Sequence, residues 1–283
     1  MKRASVVITM LVLCAMSSTG AFAQQRPLVT EDPETIGAGR VLVEGGFDWS
    51  KDMQYTVSGL SGDLFRVPMI GISVGVSSIA ELQIDGGPYD RLAIKTRKPA
   101  PLSSLLTVTG DSTNDVDDIV IGMKLRLVPE GTARPAFGFR FATRLPNAGN
   151  ESGLGLDTTD FMASILVAKT IQSVRVVGNI GAGILGDPTD GQRQNDVFLY
   201  GLSVARAVTS KAEIVGEVNG RASTRTGDAF PGTESRGQLR FGGRFTQGPV
   251  RLDAGIFFGL NTIDPTVGFT AGLTYVFNAF TIP

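Results

Sequence analysis

The chain has 283 residues, 26 Lys and Arg against 27 Asp and Glu, a formal charge of −1, no histidine and one cysteine. The near balance offers no basic surplus for holding nucleic acid. The missing histidine removes the commonest general base and metal ligand near neutral pH, and a single thiol supports neither a disulfide framework nor a thiolate metal site.

Residues 1–23 read as a secretory leader. Lys2 and Arg3 form its basic start, Val6 to Met16 its short apolar centre, and Ala21-Phe22-Ala23 the small-residue site where the peptidase cuts. Cleavage is expected before Gln24, leaving residues 24–283 as one domain. Cys14 follows Leu13 rather than a small residue, so it reads as an apolar member of the leader and not as a lipidation site. Past the leader no run reaches the roughly 18 apolar residues of a membrane-spanning helix.

Gln24 to Ile36 is a polar, proline-containing lead-in. Beyond it, apolar and polar residues alternate with the period of two that a strand imposes. The first strand is expected over Arg40 to Trp49, with Val41, Val43, Phe47 and Trp49 on one face and Arg40, Glu44 and Asp48 on the other. The second runs near Phe65 to Val76 around Pro68, and the third starts near Ile79. The fourth is Asp118 to Leu127, where Ile121, Met123 and Leu125 oppose Gly122, Lys124 and Arg126. In the fifth, Phe137, Phe139 and Phe141 interleave with Gly138, Arg140 and Ala142. The sixth to ninth follow at Asp160 to Lys169, Val174 to Ile184, around Phe198 to Ala205, and at Lys211 to Arg221. The tenth is Ser235 to Thr246, the eleventh Val250 to Leu260, and the twelfth Thr266 to Phe277.

Short connections alternate with long ones, Asn261 to Pro265 being the exception. Ser77-Ser78, Pro129 to Arg134, Thr170 to Ser173, Val208 to Ser210 and Gln247 to Pro249 are short. Ser50 to Asp63, Tyr89 to Asp117, Pro146 to Thr158, Gly186 to Asn195 and Arg221 to Glu234 are long. Bacterial barrels pair short periplasmic turns with longer outer loops and use an even strand count. The expected fold is therefore all-β: a transmembrane, antiparallel, up-and-down barrel of about twelve strands in the bacterial outer membrane, apolar face toward lipid. The 36 glycines suit a tightly coiled, closed sheet.

The polar faces supply the candidate lumen residues. Arg236, Arg240 and Arg244 recur at intervals of four on the tenth strand. Glu213 and Glu217 lie on the ninth beside it, and Arg251 and Asp253 on the eleventh. Such cross-strand charges form either a salt-bridge network that fills the lumen or a ladder that filters solutes by charge. Lys124, Arg126, Arg140, Arg144 and Arg175 form a second group with few acids on its own strands, so a positive wall attracting anionic solutes, including aromatic carboxylates, is expected there. The long loop Tyr89 to Asp117 either folds into the mouth or extends the third and fourth strands. Its Arg91, Lys95, Arg97 and Lys98 are suited to lipopolysaccharide phosphates. Asp111, Asp115, Asp117 and Asp118 do not form a calcium loop, because Val116 and Gly122 stand where its Gly and Glu are needed. No spacing marks out catalytic, cofactor or metal residues, and none are expected.

The segment Pro27-Leu28-Val29-Thr30-Glu31-Asp32-Pro33-Glu34-Thr35-Ile36-Gly37-Ala38-Gly39-Arg40 resembles the start of a family of bacterial outer-membrane proteins named for the meta-cleavage pathway of phenol degradation. Asp117 to Lys124, Arg144-Leu145-Pro146 and Asn179-Ile180-Gly181 are similar to it in the same order. The resemblance implies a barrel and passage of aromatic or other hydrophobic compounds; it brings no active-site residues. Tyr275 and Phe277 close the last strand on aromatics, as outer-membrane barrels commonly do, and Asn278 to Pro283 continue past it. The expected function is a passive outer-membrane channel for small solutes with an Arg-bearing lumen, in contact with membrane lipid. The alternative is a closed barrel with a structural or surface-interaction role.

Overall fold

The alternation of residues becomes a sheet with two unlike faces. A computed structural model describes residues 26–281, so the leader and its cleavage point lie outside the described residues. The strands are β1 (Arg40–Tyr55), β2 (Leu60–Gly75), β3 (Ala80–Gly86), β4 (Asp90–Arg97), β5 (Ser112–Asp115), β6 (Ile119–Val128), β7 (Ala136–Leu145), β8 (Asp160–Ile171), β9 (Val174–Gly186), β10 (Gln194–Ala207), β11 (Ala212–Ser223), β12 (Arg236–Gln247), β13 (Val250–Gly259) and β14 (Val267–Asn278). All pairings are antiparallel. β1 pairs with both β2 and β14, which closes the sheet on itself.

The fourteen segments make twelve staves. β3 pairs with the lower half of β2 (residues 70–75) and β4 with its upper half (60–66), so β3 and β4 are two parts of one stave. β5 and β6 form the next, pairing with β4 and β3 respectively. Closure leaves no edge, so the backbone N–H and C=O groups are satisfied without water, as a bilayer requires. No helix among the described residues is long and apolar enough to cross a membrane; the strands cross it.

The faces are inverted relative to a water-soluble barrel. Phe161, Ile180, Leu202, Ile214, Phe241 and Phe269 are exposed on the outside, whereas Glu81, Lys124, Asp160, Glu217 and Thr274 are buried within. Phe47 packs against Phe65 and Phe269 on the outer surface, with ring centroids 6.0 and 5.8 Å apart. This arrangement places the protein in the bacterial outer membrane.

One connection differs from the sequence expectation. The long loop expected over Ser50 to Asp63 shrinks to residues 56–59, because β1 and β2 run on past the membrane as a hairpin. Gly59 makes that turn possible: its φ is +78°, and a Cβ there would lie 1.9 Å from the Lys98 carbonyl oxygen. The segment Tyr89 to Asp117 does both things expected of it. β4 and β5 extend the wall, and Leu106 between them folds back onto an apolar cluster of Leu60, Leu64 and Leu92. At the other end, the Ala279 and Phe280 amides donate to the Gly39 carbonyl, which fastens the last residues to the start of β1.

Phe241 lies at mid-strand on the lipid face. Phe241→Arg is expected to destabilise the barrel in lipid vesicles by about 2–4 kcal/mol, measured by urea unfolding. A change near zero would mean that this face does not meet lipid.

Candidate functional site

Residues 26–36, which sequence reasoning treats only as a lead-in, lie inside the barrel. Glycines on the wall make room for them. A Cβ on Gly272 would approach Arg26 to 2.5 Å, one on Gly242 would approach Pro27 to 2.8 Å, and ones on Gly201 and Gly138 would approach Thr30 and Pro33 to 2.9 Å. Part of the glycine richness attributed to sheet curvature therefore serves close approach of a second backbone.

The segment is held as a strap across the interior. The Ile36 amide donates to Glu81 (2.8 Å). The Glu31 amide donates to the Asn179 side-chain oxygen (2.7 Å), and the Asn179 side-chain amide returns a bond to the Glu31 carbonyl (2.8 Å). Glu217 accepts from the Val29 (2.7 Å) and Thr30 (2.8 Å) amides. Arg244 donates to the Arg26 carbonyl (2.7 Å). Arg26 donates to Thr270 (2.9 Å) and the Ala271 carbonyl (3.0 Å), and pairs with Asp253 at 3.5 Å.

This strap corrects the expectation of an unpaired positive wall. Lys124 pairs with Glu81 (2.9 Å) and Glu31 (3.4 Å), and Arg140 with Glu31 (3.0 Å). Arg126 pairs with Glu34, and Arg175 with Asp32 and Glu130. The missing acids come from the lead-in, not from neighbouring strands. Partial burial opposes the charge on Glu130, in the turn between β6 and β7. The Thr170 amide, Lys169, Arg175 and the Thr170 hydroxyl outweigh it and hold the carboxyl below its ordinary range.

Arg144, higher on β7, pairs with Asp118 (3.4 Å) and Asp160. On the far wall Arg240 faces Glu217 at 3.7 Å and Arg244 faces Glu213 at 3.8 Å. Arg236, at the outer end of the same strand, is directed elsewhere, toward Asp264 at 3.8 Å and the carbonyls of Ile263 and Gln54. Arg251 donates to Thr246 (3.1 Å). The charged side chains thus form a network that bears on the strap as well as on adjacent strands.

The outer mouth is roofed. Leu106 and Leu154, from two loops, pack on Leu60, Leu64 and Leu92 with Met53, Tyr55 and Ile94. Ser58 donates to the Gly153 carbonyl, Leu102 to the Val57 carbonyl, and Gly232 to the Thr56 hydroxyl, so three loops meet over the β1–β2 turn.

Cavities remain between roof and strap. The outermost, about 220 Å³, is lined by the apolar Met53, Val57, Leu154 and Leu156 and by Arg66, Arg144, Arg221 and Arg236. A second, about 380 Å³, lies over Arg26 to Val29 and reaches Glu44, Asp85, Asp117 and Arg144. A third, about 410 Å³, lies over Val29 to Glu31 and shares Arg221 and Arg236 with the first. Arg221 is absent from the sequence-based candidates because it sits at a strand end. Its place on the polar face of the ninth strand, in step with Glu217 and Asn219, was the available signal.

The wall itself is interrupted at one height. Residues 87–89 separate β3 from β4, and residues 116–118 separate β5 from β6. Single bonds bridge the interruption, Asp117 to the Gly87 carbonyl (2.8 Å) and Val67 to the Tyr89 carbonyl (3.0 Å). Pro68, with no N–H, lies opposite. An apolar groove of about 370 Å³ opens there, lined by Ile70, Ile72, Ile84, Pro88, Val116 and Ile119. It shares Ile70, Asp85, Gly86 and Asp117 with the second inner cavity.

The family described as "Putative MetA-pathway of phenol degradation" matches residues 25–277. No curated protein matches the sequence. Among solved structures, the COG4313 outer membrane channel from Pseudomonas putida F1 is similar at a TM-score of 0.62 with 13% identity, over 87% of this chain and 98% of that one. The NanC porin is similar at 0.50 with 8% identity, over 83% and 98%. At these identities the likeness shows the barrel fold.

Lys124 and Glu81 have fully buried side chains. Glu81→Ala leaves the buried ammonium with Glu31 alone, at 3.4 Å, and frees the Ile36 amide, at an expected cost of about 3 kcal/mol in urea unfolding. A loss below about 1 kcal/mol, the range of exposed pairs, would mean water reaches this site.

Proposed function

Since the chain belongs to the family described as "Putative MetA-pathway of phenol degradation", we propose that it is an outer-membrane channel through which small aromatic or other largely apolar solutes pass by passive diffusion. The supporting observation is the chain of cavities between roof and strap. They share lining residues, combine apolar with arginine surfaces, and one abuts the break in the wall. Straight passage to the periplasm is obstructed by the strap. The break offers a second way out, through apolar side chains into the bilayer, and such an exit suits solutes that partition into lipid.

The strap and roof also support a second reading, a closed barrel with a structural role. Bilayer conductance separates the two. Deleting residues 26–36 is expected to raise single-channel conductance severalfold over a small but measurable value in the intact protein. A barrel that conducts nothing in either form, and brings no aromatic solute into cells, would reject the channel.

The break can be tested by locking it. A Cβ on Gly87 would lie 3.7 Å from the Asp117 Cβ, within disulfide range. With Gly87→Cys and Asp117→Cys together, oxidation is expected to cut uptake of labelled benzyl alcohol by intact cells, and a reductant to restore it, with ion conductance unchanged. Uptake indifferent to oxidation would remove the lateral exit.

A further inference from the structure

Arg221 and Arg236 are direct partners in the β11–β12 register. Both lie on the strand faces that carry Glu217 and Arg240 into the interior, and both line the outermost cavity and the third one beneath it. Two like charges directly opposed across strands repel. Elsewhere inside the barrel such charges are relieved by carboxylates: Lys124, Arg126, Arg140, Arg144, Arg175, Arg240 and Arg244 each have one within 4.0 Å. Arg221 is different. It donates to the Glu234 and Gly232 carbonyls, both at 2.9 Å; among the described residues no carboxylate lies within 4.0 Å of it, and Asp160 and Glu234 act on it only from farther away. Carbonyls orient a guanidinium without cancelling its charge, and two bonds leave further donors of its five unused. Arg236 is held by two carbonyls and also pairs with Asp264 at 3.8 Å, so the uncompensated charge of the two lies on Arg221.

We propose that the Arg221–Arg236 pair is a recognition site for the acid group of an amphiphilic monocarboxylate, whose apolar body lies against Met53, Val57, Leu154 and Leu156. The site rests on the reading of the protein as a solute channel and specifies which solutes are held. Two guanidinium groups offer the forked donors that match a carboxylate. The apolar side chains of the same cavity cover a ring or short chain. Arg66 and Arg144 line the cavity with Asp90, Asp117 and Asp118, and pair with Asp90 and Asp118; with Arg221 and Arg236 the lining carries four arginines against three acids, a balance that suits one negative charge and disfavours a dianion such as phosphate. Because the pair lines both cavities, a bound acid sits at the passage between them. The requirement is for one negative charge on an otherwise apolar solute, a narrower demand than general anion selectivity.

The test uses the full mature chain refolded in detergent, with binding of a fluorinated benzoate and the matching fluorinated benzyl alcohol followed by fluorine NMR. The acid is expected to bind about tenfold more tightly than the alcohol, the difference that charge-assisted hydrogen bonds supply. Arg221→Gln should abolish that preference by weakening acid binding to the level of the alcohol, and Arg221→Lys should retain part of it. Heat-modifiable migration on gels verifies that each variant folds. Equal binding of acid and alcohol by the native chain overturns the site. So does a preference that survives Arg221→Gln combined with Arg236→Gln, which would leave these arginines as clips for the outer loops. Solute flux without any preference for the acid also overturns the site while leaving the channel intact. Acid preference without flux supports the site and rejects the channel.

Discussion

Charge pairing inside a sealed wall is the constraint on which the rest of this structure depends. A barrel in lipid must turn its apolar side chains outward, so its charged ones are confined to a narrow interior. Confined charges without partners are expensive, and replacing one member of a buried pair is more damaging than never having the pair. The strands of one half of this barrel carry lysine and arginine with too few acids. Glu31, Asp32 and Glu34 of the N-terminal strap supply what is missing. The strap is therefore held by the wall, and the wall is neutralised by the strap.

The same economy explains the contrast between the lower and upper interior. Below, the strap fills the space and the basic side chains are paired. Above it, the outer hairpin of β1 and β2 and two loops bury leucines beneath a roof, Arg221 meets carbonyl oxygens, and Arg236 meets two carbonyls with Asp264 at 3.8 Å. The interior passes from an apolar chamber with net positive donors to a charge-matched barrier. The interrupted staves lie near the level where these zones meet, and there the ladder is reduced to isolated bonds.

Much of this is written plainly in the sequence. The alternation around Phe137, Phe198 and Phe269 marks strands and faces because side-chain direction follows directly from strand geometry. The aromatic faces could be assigned to lipid once the leader and the alternating loop lengths were taken together. The extensions of β1 through Ser50 to Tyr55 and of β2 from Leu60 were not legible. Outside the membrane neither face must be apolar, so the alternation weakens where the strands continue. The strap was not legible either, since Gln24 to Ile36 has the proline and polar content of a linker. Its clue was indirect. Lys124, Arg126, Arg140 and Arg175 had few acids on their own strands, and Glu31, Asp32 and Glu34 lay close together with only Arg26 and Arg40 near them in sequence. Long-range pairing over 93 residues, as between Lys124 and Glu31, leaves no local pattern to read. The break in the wall had one local sign, Pro68, and its partner interruption at Gly87-Pro88 fell inside a segment whose alternation was too short to place.

The seat of Arg26 has a consequence for how the molecule is built. Its side chain reaches Thr270 and Ala271 on the last strand and lies against Gly46 on the first, with Asp253 beside it. That seat straddles the seam where the two ends of the sheet meet, and it is formed only by their union. A half-assembled sheet, with first and last strands apart, has nowhere to receive Arg26. Arg26 thus takes its seat only in the closed sheet, and its side chain lies across the joint.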